Sequence, residues 1–158
     1  MPDESKFPDL KGLVEEVQGQ GLSILLWCAP LFNLGGLGEV SFIQDHLFRP
    51  TGQDAPEGFL CPRSPAVRAY ACRMVKHLME IYGCNGLKID FIDPLQDRAA
   101  LPCTADHEHD IADYGEAVER FLNGIYQAAT QVRADALLEY RMNYSTLATR
   151  PFATSHRA

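Results

Sequence analysis

The chain has 158 residues, 46% of them apolar and 22% charged, with a formal net charge of −7 at pH 7. These values describe one ordinary globular domain, large enough to bury a real core. The acidic balance argues against a nucleic-acid-binding surface, which needs a basic stripe, and no apolar run nears the ~20 residues of a membrane-spanning helix.

The five cysteines, Cys28, Cys61, Cys72, Cys84 and Cys103, are odd in number and form no C-x-x-C pair. Most lie in apolar segments, so they read as small buried hydrophobes in a reducing compartment rather than a disulfide frame. The opening residues Met1-Pro2-Asp3-Glu4-Ser5 are acidic and polar, unlike a secretory leader. The cytoplasm is the expected location.

The first element is a helix. Pro8 suits its first turn, Leu10, Leu13, Val14 and Val17 recur at helical spacing, and Gly19 and Gly21 end it. Residues 22–27 are a continuous apolar run, the pattern of a parallel strand covered on both faces. The glycine-rich segment Leu34-Gly35-Gly36-Leu37-Gly38 lacks the G-x-G-x-x-G spacing and leads into no helix, so it reads as a loop or lid rather than a phosphate cradle. Phe42, Ile43, Leu47 and Phe48 suit a short helix, and residues 58–61 a brief strand. Ser64 as cap and Pro65 at the first position open a long helix whose apolar face runs from Val67 to Tyr82 and which Gly83 stops.

Asn85-Gly86 reads as a turn pair, followed by a strand over residues 87–92. Lys88 and Asp90 fall on one face of that strand, because side chains alternate with period two. Such a pair calls for either mutual neutralisation or use in chemistry. A polar loop from Asp93 to Asp110 then leads into a third helix with Ile111, Tyr114, Val118, Phe121, Leu122, Ile125 and Ala129 on its face. Residues 136–140 form a further strand, followed by Arg141, Asn143 and Tyr144, and residues 149–154 make a last extended piece. The alternation of strands and helices predicts a parallel α/β architecture, doubly wound or barrel. Residues 22–27, 59–61, 87–91 and 136–141 are the expected adjacent strands.

Polar groups recur at the C-terminal ends of these strands: Trp27, then Cys61 and Arg63, then Lys88, Asp90 and Asp93, then Glu139, Arg141 and Asn143. In a β/α barrel that end is the catalytic face.

Lys6-Phe7-Pro8-Asp9-Leu10-Lys11, then Gly21-Leu22 and Trp27-x-x-Pro30, resemble a strand-and-helix unit of the retaining α-galactosidase clan of glycoside hydrolases. Ser64-Pro65-Ala66-Val67-Arg68, with Tyr82-Gly83 and Leu87-Lys88-Ile89-Asp90-Phe91, is similar to the stretch of that clan that carries its nucleophile. The likeness is good over residues 6–93 and loose beyond. It implies a partial (β/α)₈ TIM barrel of about four to five parallel strands, with residues 1–158 forming one incomplete catalytic domain. It also implies Asp90 as nucleophile, Lys88 on sugar hydroxyls, no cofactor, and an α-galactoside or related carbohydrate as substrate. Trp27 fits a sugar-binding wall or a structural core position. Arg141 fits a substrate-orienting group or an ion pair to Glu139. Cys61 falls at a pocket position of the clan, where a core cysteine is the alternative, and Asp93 falls on the adjoining loop.

The chemistry agrees with that implication. A retaining glycosidase needs an ionised carboxylate to attack the anomeric carbon and an acid about 5–5.5 Å away. A cation beside the nucleophile keeps it charged. The clan's acid/base, an aspartate on a downstream strand, has no counterpart between Glu139 and Ala158 and is expected beyond residue 158.

Two rival readings remain. Asp106-His107-Glu108-His109, with Cys103, invites a metal-dependent hydrolase. The two histidines at i, i+2 cannot share a helix face, however, and their spacing is not H-E-x-x-H, so a solvated acidic loop before a helix and no metal are expected. The other rival is a non-catalytic carbohydrate-binding remnant.

Overall fold

The structure is a computed structural model that describes residues 3–32, 40–51, 58–92, 102–142 and 149–157. Helix α1 spans Leu10–Gly19, and the Asp9 carboxylate caps it by accepting the Gly12 N–H at 2.8 Å. Strand β1 is Leu25–Cys28. It starts three residues later than the apolar run suggests, and Leu22 is 60% exposed. A short helix α2, Val40–Asp45, stands where Phe42 and Ile43 placed one.

Helix α3, Pro65–Tyr82, buries Val67, Ala71, Val75, Met79 and Tyr82 along one stripe. Pro65 occupies its first turn, but the Ser64 hydroxyl makes no capping bond and is buried without a hydrogen-bond partner. Gly83 ends the helix in the left-handed region at φ 62°, where its N–H reaches the Met79 carbonyl.

Strand β2, Gly86–Ile89, follows, then helix α4, Tyr114–Val132, capped by the Asp113 side chain on the Glu116 N–H, and strand β3, Leu137–Arg141. A single 3₁₀ turn, Arg150–Phe152, leads into β4, Ser155–Arg157. The four strands form one sheet in the order β1-β2-β3-β4, every pair parallel. With helices α3 and α4 in the crossovers, this is part of a (β/α)₈ barrel. No helix among the described residues is long and apolar enough to cross a membrane.

Three sequence expectations are corrected. Residues 59–61 are not a strand of the sheet: Phe59 and Leu60 make only isolated antiparallel bridges, to Phe32 and Leu47. The run is too short and apolar for periodicity to tell a strand from a packed loop. β1 pairs directly with β2 instead, and the fourth strand is β4, beside β3 at the far edge, whose Ser-His-Arg sequence carries no apolar alternation. Asn85-Gly86 is not a turn. The Asn85 Oδ1 accepts the Ile24 N–H and the Gln18 amide, both at 2.9 Å, and Gly86 is the buried first residue of β2. The central strand also stops at Ile89, because Phe91 turns to φ 54°.

The sheet has two unlike faces. Leu87, Ile89, Leu138 and Tyr140 are buried, and the Tyr140 hydroxyl reaches the Leu122 carbonyl of α4 at 3.4 Å, so this face packs on the helices. The alternate positions are Trp27, Lys88, Asp90, Glu139 and Arg141, which therefore share the opposite face.

Candidate active site at the carboxyl ends of the strands

Register builds the site row by row. Lys88 is the Cα partner of Trp27 on β1 and of Glu139 on β3, so the three form one row across the sheet. One step further along the same face, Asp90 lies beside Arg141. The Asp90 N–H still bonds the Cys28 carbonyl at 2.9 Å, so its backbone is held at the very end of β2.

The Asp90 carboxylate is fully engaged. Its Oδ2 accepts the Trp27 indole N–H at 3.0 Å, and its Oδ1 accepts the Phe91 N–H at 2.8 Å and an Arg141 guanidinium N–H at 3.4 Å. The Asp90 side chain is 11% exposed. Burial by itself raises the carboxyl, but the Trp27 and Phe91 hydrogen bonds and the Arg141 charge outweigh it and hold the group below the usual aspartate value. Asp90 is therefore ionised at neutral pH and fixed in direction.

Phe91 shows how tightly this corner is built. A bulky residue at φ 54° sits where side chains other than glycine rarely go, a strain of about 1–3 kcal/mol. Its ring stacks on Phe32 at 4.8 Å and meets Trp27 edge-on at 6.4 Å. Phe32 in turn packs on Phe59 at 4.7 Å. The aromatic chain holds the turn that lets Asp90 leave the sheet. Trp27 remains 44% exposed, with a ring face available at the rim.

Lys88 does not neutralise Asp90. Its ammonium lies 3.4 Å from Glu139, its register partner on β3, and the cation beside Asp90 is Arg141. This also corrects the alternative of an Arg141–Glu139 pair. Adjacent strands in parallel register bring equivalent rows together, so each cation meets the carboxylate of its own row.

Cys61 and Arg63 belong elsewhere. The Arg63 guanidinium lies over the Phe48 and Tyr114 rings, and its Nε donates to the Ala112 carbonyl at 3.0 Å. Cys61 is fully buried, with its Sγ 3.4 Å from the His109 Nε2. Asp93, Asn143, Tyr144 and the glycine-rich segment 34–38 lie outside the described residues.

The Trp27 hydrogen bond can be tested directly. Trp27→Phe keeps a ring against Phe91 but removes the donor, so the Asp90 pKa should rise. An ionised aspartate with a depressed folded pKa stabilises the fold above its unfolded value and loses that contribution as pH falls through the folded one. In the variant, that loss should begin at higher pH. A carboxyl-carbon NMR titration reads the shift, and an unmoved Asp90 midpoint contradicts the assigned bond.

No protein-family model matches the chain, and no curated protein matches it. Its fold is similar to that of several solved structures. An α-galactosidase from Lactobacillus brevis superposes with a TM-score of 0.55 at 20% identity, over 87% of this chain and 19% of that one. The α-galactosidase AgaA from Geobacillus stearothermophilus, a GH36 enzyme in complex with stachyose, gives 0.62 at 16% identity, over 89% and 20%. The glycoside hydrolase domain of PelA from Pseudomonas aeruginosa gives 0.65 at 14% identity, over 92% and 54%. The chain thus spans from about a fifth to about half of the proteins it resembles. What the chain shares with these glycoside hydrolases is the fold, part of a β/α barrel.

Proposed function

We propose that this chain carries the nucleophile strand of a retaining α-glycoside hydrolase acting on α-galactosides or related α-glycosides. The observation that carries the reading is the Asp90 carboxylate, ionised, aimed by Trp27 and Arg141, and set on a strained turn at the C-terminal end of a barrel strand. The likeness in fold to glycoside hydrolases, one of them holding stachyose, supports it.

In this mechanism Asp90 attacks the anomeric carbon from the face opposite the leaving group. The carbon–oxygen bond to that group breaks as a carboxylic acid protonates the departing oxygen. Water, deprotonated by the same acid residue, then attacks the anomeric carbon and frees Asp90, so two inversions give net retention. Arg141 keeps the nucleophile charged, and Lys88, held by Glu139, is placed to donate to sugar hydroxyls. Trp27 offers an apolar wall to the sugar's C–H face. Asp93, which follows Asp90 by three positions in the chain, is proposed as a further substrate-binding residue. Cys61 is left out of the sugar pocket, since its sulfur is turned to His109.

A closed barrel of this type has eight strands, and the described residues supply four. The proposed catalytic unit therefore includes further strands, and we read residues 1–158 as one incomplete domain of it. The proton donor comes from outside these four strands.

The test is the stereochemistry of the first product. The intact protein should release nitrophenol from 4-nitrophenyl α-galactoside, and proton NMR should show α-galactose before mutarotation brings up the β anomer. A β-first product overturns the retaining mechanism, and no turnover of any α-glycoside overturns the reading as a whole.

A further inference from the structure

Four side chains outside the proposed sugar site converge on one point. The Cys61, Cys103, His107 and His109 ligand atoms all lie within 4.8 Å of one another. Cys61 Sγ lies 3.4 Å from His109 Nε2, and Cys103 Sγ lies 3.9 Å from His107 Nε2. Tetrahedral zinc, with Zn–S near 2.3 Å and Zn–N near 2.0–2.1 Å, sets its donors about 3.3–3.8 Å apart. We propose that these four residues form a structural zinc site that ties together the loops flanking the proposed active site.

The surroundings suit that role. The His107 Nδ1 lies 3.0 Å from the Asp45 carbonyl, and as its N–H donor leaves the Nε2 lone pair directed at the cluster. A metal-bound histidine is ordinarily held by such a bond from its other nitrogen. The His46 ring stacks on His107 at 5.5 Å and fixes its plane. The Arg49 N–H points to the Cys103 sulfur at 3.4 Å, a donor that a thiolate accepts. On binding, both thiols give their protons to solvent and two Zn–S bonds form. Two thiolates balance the dication, so the centre is neutral.

The ligands come from two segments, 58–61 and 102–109, and the second is already stitched to residues 45–51. Pro50 bridges Cys103, the Thr104 N–H bonds the Arg49 carbonyl at 2.8 Å, and the Cys61 N–H bonds the His46 carbonyl at 2.9 Å. These segments carry no extended secondary structure that would hold them otherwise. Phe59, two residues before Cys61, joins the aromatic chain that ends on Phe91. The zinc would therefore brace the wall behind Asp90. Four protein ligands fill the tetrahedron and leave no position for a reacting water, so the site braces and does not catalyse. Asp106 and Glu108, between the ligands, are exposed and take no part.

The experiment uses the wild-type protein purified without chelator from zinc-supplemented cells. Elemental analysis should find one zinc per chain, and zinc-edge X-ray absorption should show two sulfur and two nitrogen neighbours. Cys61→Ser and Cys103→Ser should each lose the metal, while Cys72→Ser, a control outside the cluster, should keep it. Cobalt exchanged into wild type should give the intense visible bands of a tetrahedral thiolate site. Substoichiometric zinc with no such cobalt spectrum overturns the proposal, as does a Cys61–Cys103 disulfide in the purified protein. A shell with fewer than two sulfurs or a bound water overturns the closed, structural assignment. Because the absorption and cobalt readouts need only wild type, a serine variant that fails to fold does not blunt the test.

Discussion

Asp90→Asn should lower turnover of an α-galactoside by at least about 10⁴-fold, the scale on which removing a catalytic nucleophile acts. The amide is the same shape as the carboxylate, but its single oxygen can accept the Phe91 hydrogen bond or the Trp27 one and not both, and it cannot attack carbon. The fold should survive, with helix content by circular dichroism unchanged. Stability should fall modestly, by the lost ion pair to Arg141, whose side chain is half exposed, and by the one hydrogen bond the amide cannot accept. An Asp90→Asn protein that turns substrate over at the wild-type rate removes Asp90 from the mechanism. Asp93 supplies the contrast: Asp93→Asn should weaken binding more than it slows chemistry.

The largest effect on stability is expected at Gly86. A Cβ added there would lie 1.8 Å from the Leu137 carbonyl oxygen and 2.6 Å from its carbon, both backbone atoms of β3. No rotamer relieves a clash with backbone, so Gly86→Ala must push β2 and β3 apart at the pair where Gly86 and Leu137 are in register. The cost is expected to be at least about 3 kcal/mol, the upper end of overpacking effects. Gly19 is the control: it ends α1 with nothing within 4 Å of its added Cβ, so Gly19→Ala should be neutral or stabilising by about 0.5 kcal/mol. Urea denaturation of both variants checks the pair, and a Gly86→Ala chain as stable as wild type contradicts the β2–β3 register.

Much of this architecture is legible in the residues because local and tertiary preferences agree. The 67-71-75-79 stripe, Pro65 and Gly83 mark α3, and the apolar run before Trp27 marks β1, since a strand covered by helices has no polar side to show. Period two along Lys88-Ile89-Asp90 puts both charges on one face, as found. Which carboxylate each cation meets was not legible. That depends on the register between β2 and β3, which no single strand encodes. Phe91 looked like strand and is a left-handed turn, because its cost is offset by rings from residues 32 and 59, far away in the chain.

The Cys–His cluster was hidden for a similar reason. Cys103, His107 and His109 are close together, but Cys61 lies 48 residues before its partner His109. Judged against helical metal motifs, the histidines fail, because i and i+2 point to different sides of a helix. In an irregular loop that objection lapses. Cysteine and histidine in a C-x₃-H-x-H run, with a further buried cysteine upstream, was the signal available.

The central claim, Asp90 as nucleophile, is tested most directly by trapping the glycosyl-enzyme. A 2-fluoro-galactosyl fluoride carries a leaving group that departs without protonation, so labelling depends on the nucleophile and not on the proton donor. Peptide mass spectrometry of the inactivated intact protein should find one added fluoro-galactosyl group, on Asp90 alone, and none in Asp90→Asn. An adduct on Asp93 or Glu139, or full labelling of Asp90→Asn, would contradict the account.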